Sequence, residues 1–319
     1  MDPSITKNGP PYPFTTAQLG GEPSTNVDVP ICCVFLVLFV CGAVSHMTIF
    51  QVNRRRNHKF IPSAMTFGFC VARTLACALR ISWAYNLDNV QLGIASGIFV
   101  AAGVLILFII NLLFAQRCLR AAHPSIGWNY VVRKIFLVLY ALIVGVLVMV
   151  ITATIYIHYT LDMHKLQQCR DVLLVGGTYM AFFSFLPLPI ILLILLVPRH
   201  PSIPVEKFGT AGSWTSKLLI VLVTSLLLCL GASFRDGVNF LPSRLASNPY
   251  TVQNKACFYV FNFTIEIIVV YMFVLVRIDK RFWVPNGSEG TYLLSEETGA
   301  ADLSLEKEIR NKTSGSSLA

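Results

Sequence analysis

Three ionisable residues stand inside long apolar stretches of the sequence: Arg73 and Arg80 within residues 60–85, and Glu266 within 256–276. A charge in hydrocarbon is expensive, so such residues are kept where they meet a partner, a cavity or a substrate. Arg73 and Arg80 are seven residues apart, close to two helical turns, and project from one face. Ser63, Thr66, Cys70, Cys77 and Ala84 share that stripe. Small and polar residues along one stripe suit a helix–helix contact or a water-filled cavity. Val71, Leu75 and Leu79 fall on the opposite face, which is left for lipid or other helices.

At roughly 1.5 Å per residue, Arg73 and Glu266 lie at similar depths from the basic ends of their stretches. This predicts an Arg73–Glu266 ion pair in the bundle interior, with Asn262 and Tyr259 near the carboxylate and Arg80 higher, beside a vestibule. Two readings stay open: a pair that only fixes helix packing, or a ligand or substrate site. For Arg235 and Asp236, at the end of another apolar stretch, the simpler expectation is a local ion pair at the interface; the alternative has both joining the same vestibule, with Arg235 in the polar network of Arg73, Arg80, Asn262 and Glu266. His46 and Asn111 are expected to hydrogen-bond between helices. Pro187 and Pro189 are expected to kink theirs.

Enzyme and cofactor chemistry find little support. The six histidines form no HExxH and no paired ligands on one helix, so no metal site is expected. There is no GxSxG elbow and no pair of intramembrane aspartates. A retinal protein would need a lysine inside the last apolar stretch, and Lys255 and Lys280 stand only at its ends. The expectation is no enzyme, no catalytic residue and no cofactor. The nine cysteines contain no CxxC and are mostly expected to pack as small hydrophobes. Cys169 and Cys257 are a candidate outer disulfide, with Cys32 and Cys33 also close; connectivity does not follow from sequence.

The elements that would position these residues are transmembrane. The 319 residues are 55% hydrophobic and 13% charged, against about a quarter charged in a soluble domain. The apolar residues fall in seven stretches, 29–51, 60–85, 90–116, 135–158, 172–197, 217–234 and 256–276, each long enough with its flanks to cross roughly 30 Å of hydrocarbon. The fold class is therefore an all-α membrane protein, a seven-transmembrane helix bundle.

Orientation follows from the loops. Fourteen Lys and Arg flank the stretches on one side and six on the other, so the positive-inside rule puts the N-terminus outside and the C-terminus in the cytosol. The net charge of +9 then reflects loops facing anionic lipid, not nucleic acid. Residues 1–28 form a short outer segment without a cleavable signal peptide, 29–277 the helical domain, and 278–319 a cytosolic tail read as mostly disordered, with a weak helical stretch over 300–312. Phe282 and Trp283 follow a basic cluster and are expected as an interfacial anchor. The sequons at Asn262, Asn286 and Asn311 are expected to stay unused. The expected location is an integral, multi-pass position, in the plasma membrane or in another endomembrane.

Several stretches carry a resemblance: HKFIPSAMTFGFCVARTLACALRISWA, FIINLLFAQRCLRAAHPSIGW and KACFYVFNFTIEIIVVYMFVLVRIDKRFWVPNGS. They resemble a fungal family of seven-helix membrane proteins of unknown function, often labelled family C-like G-protein-coupled receptor proteins. The resemblance covers most of residues 49–288 and implies the seven-helix architecture and a fungal origin, not a mechanism. Rhodopsin-like receptors carry an acidic-Arg-aromatic triplet where this chain has Ala115-Gln116-Arg117-Cys118, and their Asn-Pro-x-x-Tyr signature is absent. The short segment before Val29 cannot form the large outer domain of true family C receptors. The entry to the last stretch, Cys257 to Asn262, is also distantly similar to a fungal lipid-translocating exporter family, which has seven spans too.

Two functions follow as expectations. One is a receptor-like sensor whose ligand, a small molecule or lipid, enters near Arg80, Arg73 and Glu266 and whose basic inner loops suit a heterotrimeric G protein. The other is a translocator of lipids or amphipaths, with the same charges binding a headgroup. An arginine pair facing a cavity suits an anionic headgroup such as phosphate.

Overall fold

The computed structural model describes residues 9–198, 205–285 and 292. The expected disorder and weak helix of the tail, its two sequons and the first eight residues lie outside them. Among the described residues seven helices are long and apolar enough to cross a membrane: Asp28–Arg55, Ile61–Tyr85, Val90–Ala122, Tyr130–Tyr156, Met163–Leu196, Trp214–Phe240 and Lys255–Leu275. We call these the first to seventh spans. Among the described residues there is no β-strand, only an isolated bridge between Thr16 and Leu245.

Polar caps set where most spans begin. Asn89, Asn129, Asp162, Ser213 and Asn254 each accept a hydrogen bond from a backbone N–H in the first turn of the helix that follows, satisfying donors a helix leaves orphaned. The second span instead starts with Pro62 in its first turn, where the missing N–H costs nothing.

The spans divide by what surrounds them. The fourth has a mean hydropathy of 3.0, yet only 11% of its most apolar window is buried by protein; Val131, Leu137, Val144 and Val148 point outward. In the third and seventh, 56% is buried. The third and seventh are therefore central and the fourth is peripheral, with a surface suited to lipid rather than water. The first and second spans pack along their length, and the sixth packs against both the fifth and the seventh. On the second span, Ser63, Thr66, Cys70, Arg73, Cys77, Arg80 and Ala84 are all buried, while Val71 and Leu75 are exposed, so the polar stripe faces inward.

Three spans are irregular. The third breaks at Val104, between Val90–Gly103 and Leu105–Ala122. The fifth breaks at Leu186, just before Pro187–Leu196, because Pro187 supplies no N–H to the carbonyl one turn back. The seventh widens into a π-turn over Tyr259–Thr264. Gly231 of the sixth span lies so close to that turn that a Cβ there would sit 2.9 Å from the Phe261 carbonyl oxygen.

On one face of the bundle a strap formed by the described N-terminal residues lies across the connections. The Tyr12 N–H donates to the His158 carbonyl, Ala17 N–H to Arg244, and Gly20 N–H to Gln253; the Phe14 ring contacts Trp83 and His158. We call this the strap face. On the opposite face Phe282 is not an interfacial anchor but fully buried. It stacks on Phe114 with ring centroids 4.3 Å apart, because the helical turn Ile278–Arg281 folds the chain back under the bundle.

Candidate functional site

The deepest charges form one cluster. Arg73 holds Glu266 with two parallel hydrogen bonds, Nε to Oε2 and Nη2 to Oε1, both 2.5 Å. Both side chains are buried, at 0% and 1% exposure, so the fork-to-fork geometry is what makes burial of these charges tolerable. The guanidinium also closes the third span's break. There the Val104 N–H turns to the Ala102 carbonyl, which frees the carbonyl of Val100, and Arg73 Nη1 donates to Val100 at 2.8 Å and to Phe99 at 3.2 Å. A broken helix at membrane depth needs such a donor. Phe69 and Phe263 flank the cation, each ring centroid 5.5 Å from Cζ.

Arg235 reaches the same carboxylate. Its Nη1 lies 3.5 Å from Glu266 Oε1 and donates to Asn262 Oδ1 at 3.2 Å; Asn262 in turn donates to the Phe258 carbonyl. The local Arg235–Asp236 ion pair is absent among the described residues. Neighbouring residues on a helix do not face each other: Arg235 points at the seventh span, whereas Asp236 lies against Gly177 of the fifth, its Oδ1 without a hydrogen-bond partner.

A second cluster sits nearer the strap. Arg80 is almost fully buried beside the cavity described below, and its Nη2 and Nε donate to Asp28 Oδ1 at 2.8 and 3.0 Å. The Tyr259 hydroxyl donates to the same oxygen at 2.7 Å, and Lys255 Nζ meets Oδ2 at 2.5 Å. Arg80 Nη2 also donates to the Gly20 carbonyl at 3.0 Å, which ties the strap to the bundle, and its guanidinium stacks 4.3 Å from the Phe258 ring. Asp28 and Lys255 were missed because they stood outside the apolar stretches. The legible signal was depth: Asp28 opens the first span, and Arg80 stands five residues from the end of the second.

Cys169 and Cys257 are free thiols, not a disulfide. Cys169 is on the fifth span and Cys257 starts the seventh, with the sixth packed against each. His46 Nε2 lies 3.2 Å from the Val270 carbonyl, and Asn111 bridges Ser225 and Thr224 at 2.7 and 2.6 Å, so both link spans. Among the described residues no three His, Cys, Asp or Glu gather as a metal ligand set.

Between the clusters and the strap lies a cavity of about 430 Å³, bordered by the second to seventh spans. Arg80, Arg170, Arg235, Asp236 and Asn262 supply its polar wall, and Thr16, Gln18 and Gly21 of the strap contribute to its rim. Leu147 and Ile151 of the fourth span, with Leu174 and Met180 of the fifth, supply an apolar wall. A concave site of this size, mostly apolar with a few converging polar groups, is what small-molecule binding requires.

Seven apolar helices around a charged, hydrogen-bonded interior define an integral, multi-pass membrane protein. The chain matches the model of a family described as protein of unknown function (DUF3112) over residues 124–214 and 212–283. Together these run from 124 to 283, just over half of the 319 residues, and the chain belongs to that family. No curated protein and no solved structure matches it.

Proposed function

We propose that the protein is a receptor-like seven-helix sensor, with its ligand site in the cavity beneath the strap. The observation that carries this reading is the cavity itself: a charged, concave space at one end of the bundle, at whose rim the strap is fastened by Arg80. A ligand there touches the second, third, fifth, sixth and seventh spans at once. The breaks at Val104 and Leu186 and the π-turn supply the irregular segments through which such contacts shift a helix.

Loop charge puts the strap face outside and the basic face in the cytosol. The latter carries Arg54, Arg55, Arg56, Arg133 and Lys134, a surface compatible with a heterotrimeric G protein, in keeping with the receptor-like family resemblance. The plasma membrane is the proposed location.

One observation favours a second reading, translocation of lipids or amphipaths. The cavity's apolar wall comes partly from the fourth span, itself peripheral in the bundle. Liposomes holding the purified full-length chain and a fluorescent phospholipid separate the two. The sensor reading predicts lipid flip rates no faster than in empty liposomes. Flux well above that background overturns it in favour of the translocator.

A further inference from the structure

Charge around the cavity does not balance. Arg80, Arg170 and Arg235 line it against a single carboxylate, Asp236; behind the wall, Arg73 and Lys255 meet Glu266 and Asp28. Asp28 is held by Arg80 and Lys255, and Glu266 is saturated by Arg73 before Arg235 reaches it. Arg235 therefore has Nε and Nη2 with no acceptor among the described residues. Arg170 donates only from Nη2, to the Leu241 carbonyl at 2.9 Å, and has no carboxylate partner among the described residues. Asp236 is the one wall carboxylate without a cation, and it cannot offset both arginines.

A positive surplus inside a membrane protein is costly unless an anion meets it. Arg170 contacts Leu241, which caps the sixth span six residues beyond Arg235, so the two arginines follow one another from the mouth inward, their attachment points roughly 9 Å apart in helix rise. Such a series draws an anion in, and the apolar wall of Leu147, Ile151, Leu174 and Met180 then offers a surface for a hydrocarbon tail.

We propose that the cavity takes a single-tailed amphiphile with an anionic head, carboxylate or phosphate, its head beside Arg235 and its tail against the fourth and fifth spans. This assignment rests on the cavity being the ligand site, and the test separates the two. Full-length protein in phosphatidylcholine nanodiscs is dialysed against labelled decyl phosphate, decanol or inorganic phosphate, with empty nanodiscs correcting for uptake by lipid. The expected result is saturable binding of decyl phosphate with a Kd at least tenfold below that of decanol. Arg170→Gln should raise that Kd about fivefold or more, and Arg235→Lys should keep the preference for the anion. Arg170 is partly exposed and makes a single hydrogen bond, so its variant keeps the fold, which a monodisperse elution profile checks. Equal affinity for decanol, or no effect of Arg170→Gln, overturns the anionic head and leaves the cavity reading standing. Competition by inorganic phosphate as strong as by decyl phosphate overturns the tail. No saturable binding by any probe overturns the assignment together with the cavity reading.

Discussion

Arg73 and Glu266 carry the account at the residue scale. Their depths matched in the sequence, and the structure joins them by two hydrogen bonds of 2.5 Å with almost no exposure. Breaking a buried pair leaves the surviving charge without compensation, at a cost of about 3–5 kcal/mol. Glu266→Arg adds a cation beside Arg73 and Arg235 and is expected to cost at least that much, seen as loss of folded protein or a lower midpoint of thermal unfolding. Arg73→Glu combined with Glu266→Arg should recover part of the loss. A double variant no better than either single change would show that the pair does not couple. What the sequence left open here was the third partner, with a local Arg235–Asp236 pair favoured over a place for Arg235 in the polar network. Arg235 reads as half of an Arg-Asp dipeptide, and only the helix direction, which aims it at Asn262 and Glu266, separates it from Asp236.

Helix irregularities matter most at the element scale. The Pro187 break was legible because proline removes a donor by chemistry alone. The break at Val104 has no such marker: it persists because Arg73, from another span, supplies the donor that the Phe99 and Val100 carbonyls need. The π-turn at Tyr259–Thr264 is similarly silent in the sequence; it places both Tyr259 and Asn262 inward. The strap was read only as a short outer segment, since its bonds are to distant backbone atoms. One of these involves His158, whose imidazole is buried against Tyr12 and Phe14. Burial lowers its affinity for a proton below the ordinary histidine value, partly offset by the Tyr12 carbonyl. A histidine held neutral in the fold takes up a proton more readily when released. Its contribution is thus present above the unfolded value of about 6.5 and is lost as the pH falls from there toward the lower folded value. Hydrogen exchange of the Tyr12 and Ala17 amides should accelerate between about pH 7 and 5.5 beyond the intrinsic chemical rate, and His158→Gln should flatten that dependence. Identical profiles for the two proteins would remove His158 from the latch.

For the whole molecule, the seven helices were plain in the hydropathy, because a bilayer demands long apolar stretches whatever they surround. Their ends were less so: the sixth runs over Trp214–Phe240 rather than 217–234, and the third reaches Ala122, since polar turns past the hydrocarbon stay helical where caps and packing support them. Of the cavity only the polar stripe of the second span with Arg80 was legible, as the remaining walls come from five other spans. Membrane direction is a separate matter, argued from loop charge. A sequon placed in the 241–250 connection on the strap face should acquire a glycan during expression in eukaryotic cells, with Asn286 and Asn311 unmodified. Glycans on either native site would reverse the proposed direction. The proposed polar interior opens to water at the strap face, and matched cysteines test this. Val100 borders the cavity and Leu75 faces outward, each ten residues from the strap-face end of its span. In a background with Cys33, Cys41, Cys229 and Cys257 replaced by alanine, a membrane-impermeant thiol reagent added to the strap face should label Val100→Cys and leave Leu75→Cys unlabelled. Equal labelling of the two, or none at Val100→Cys in folded protein, would contradict it.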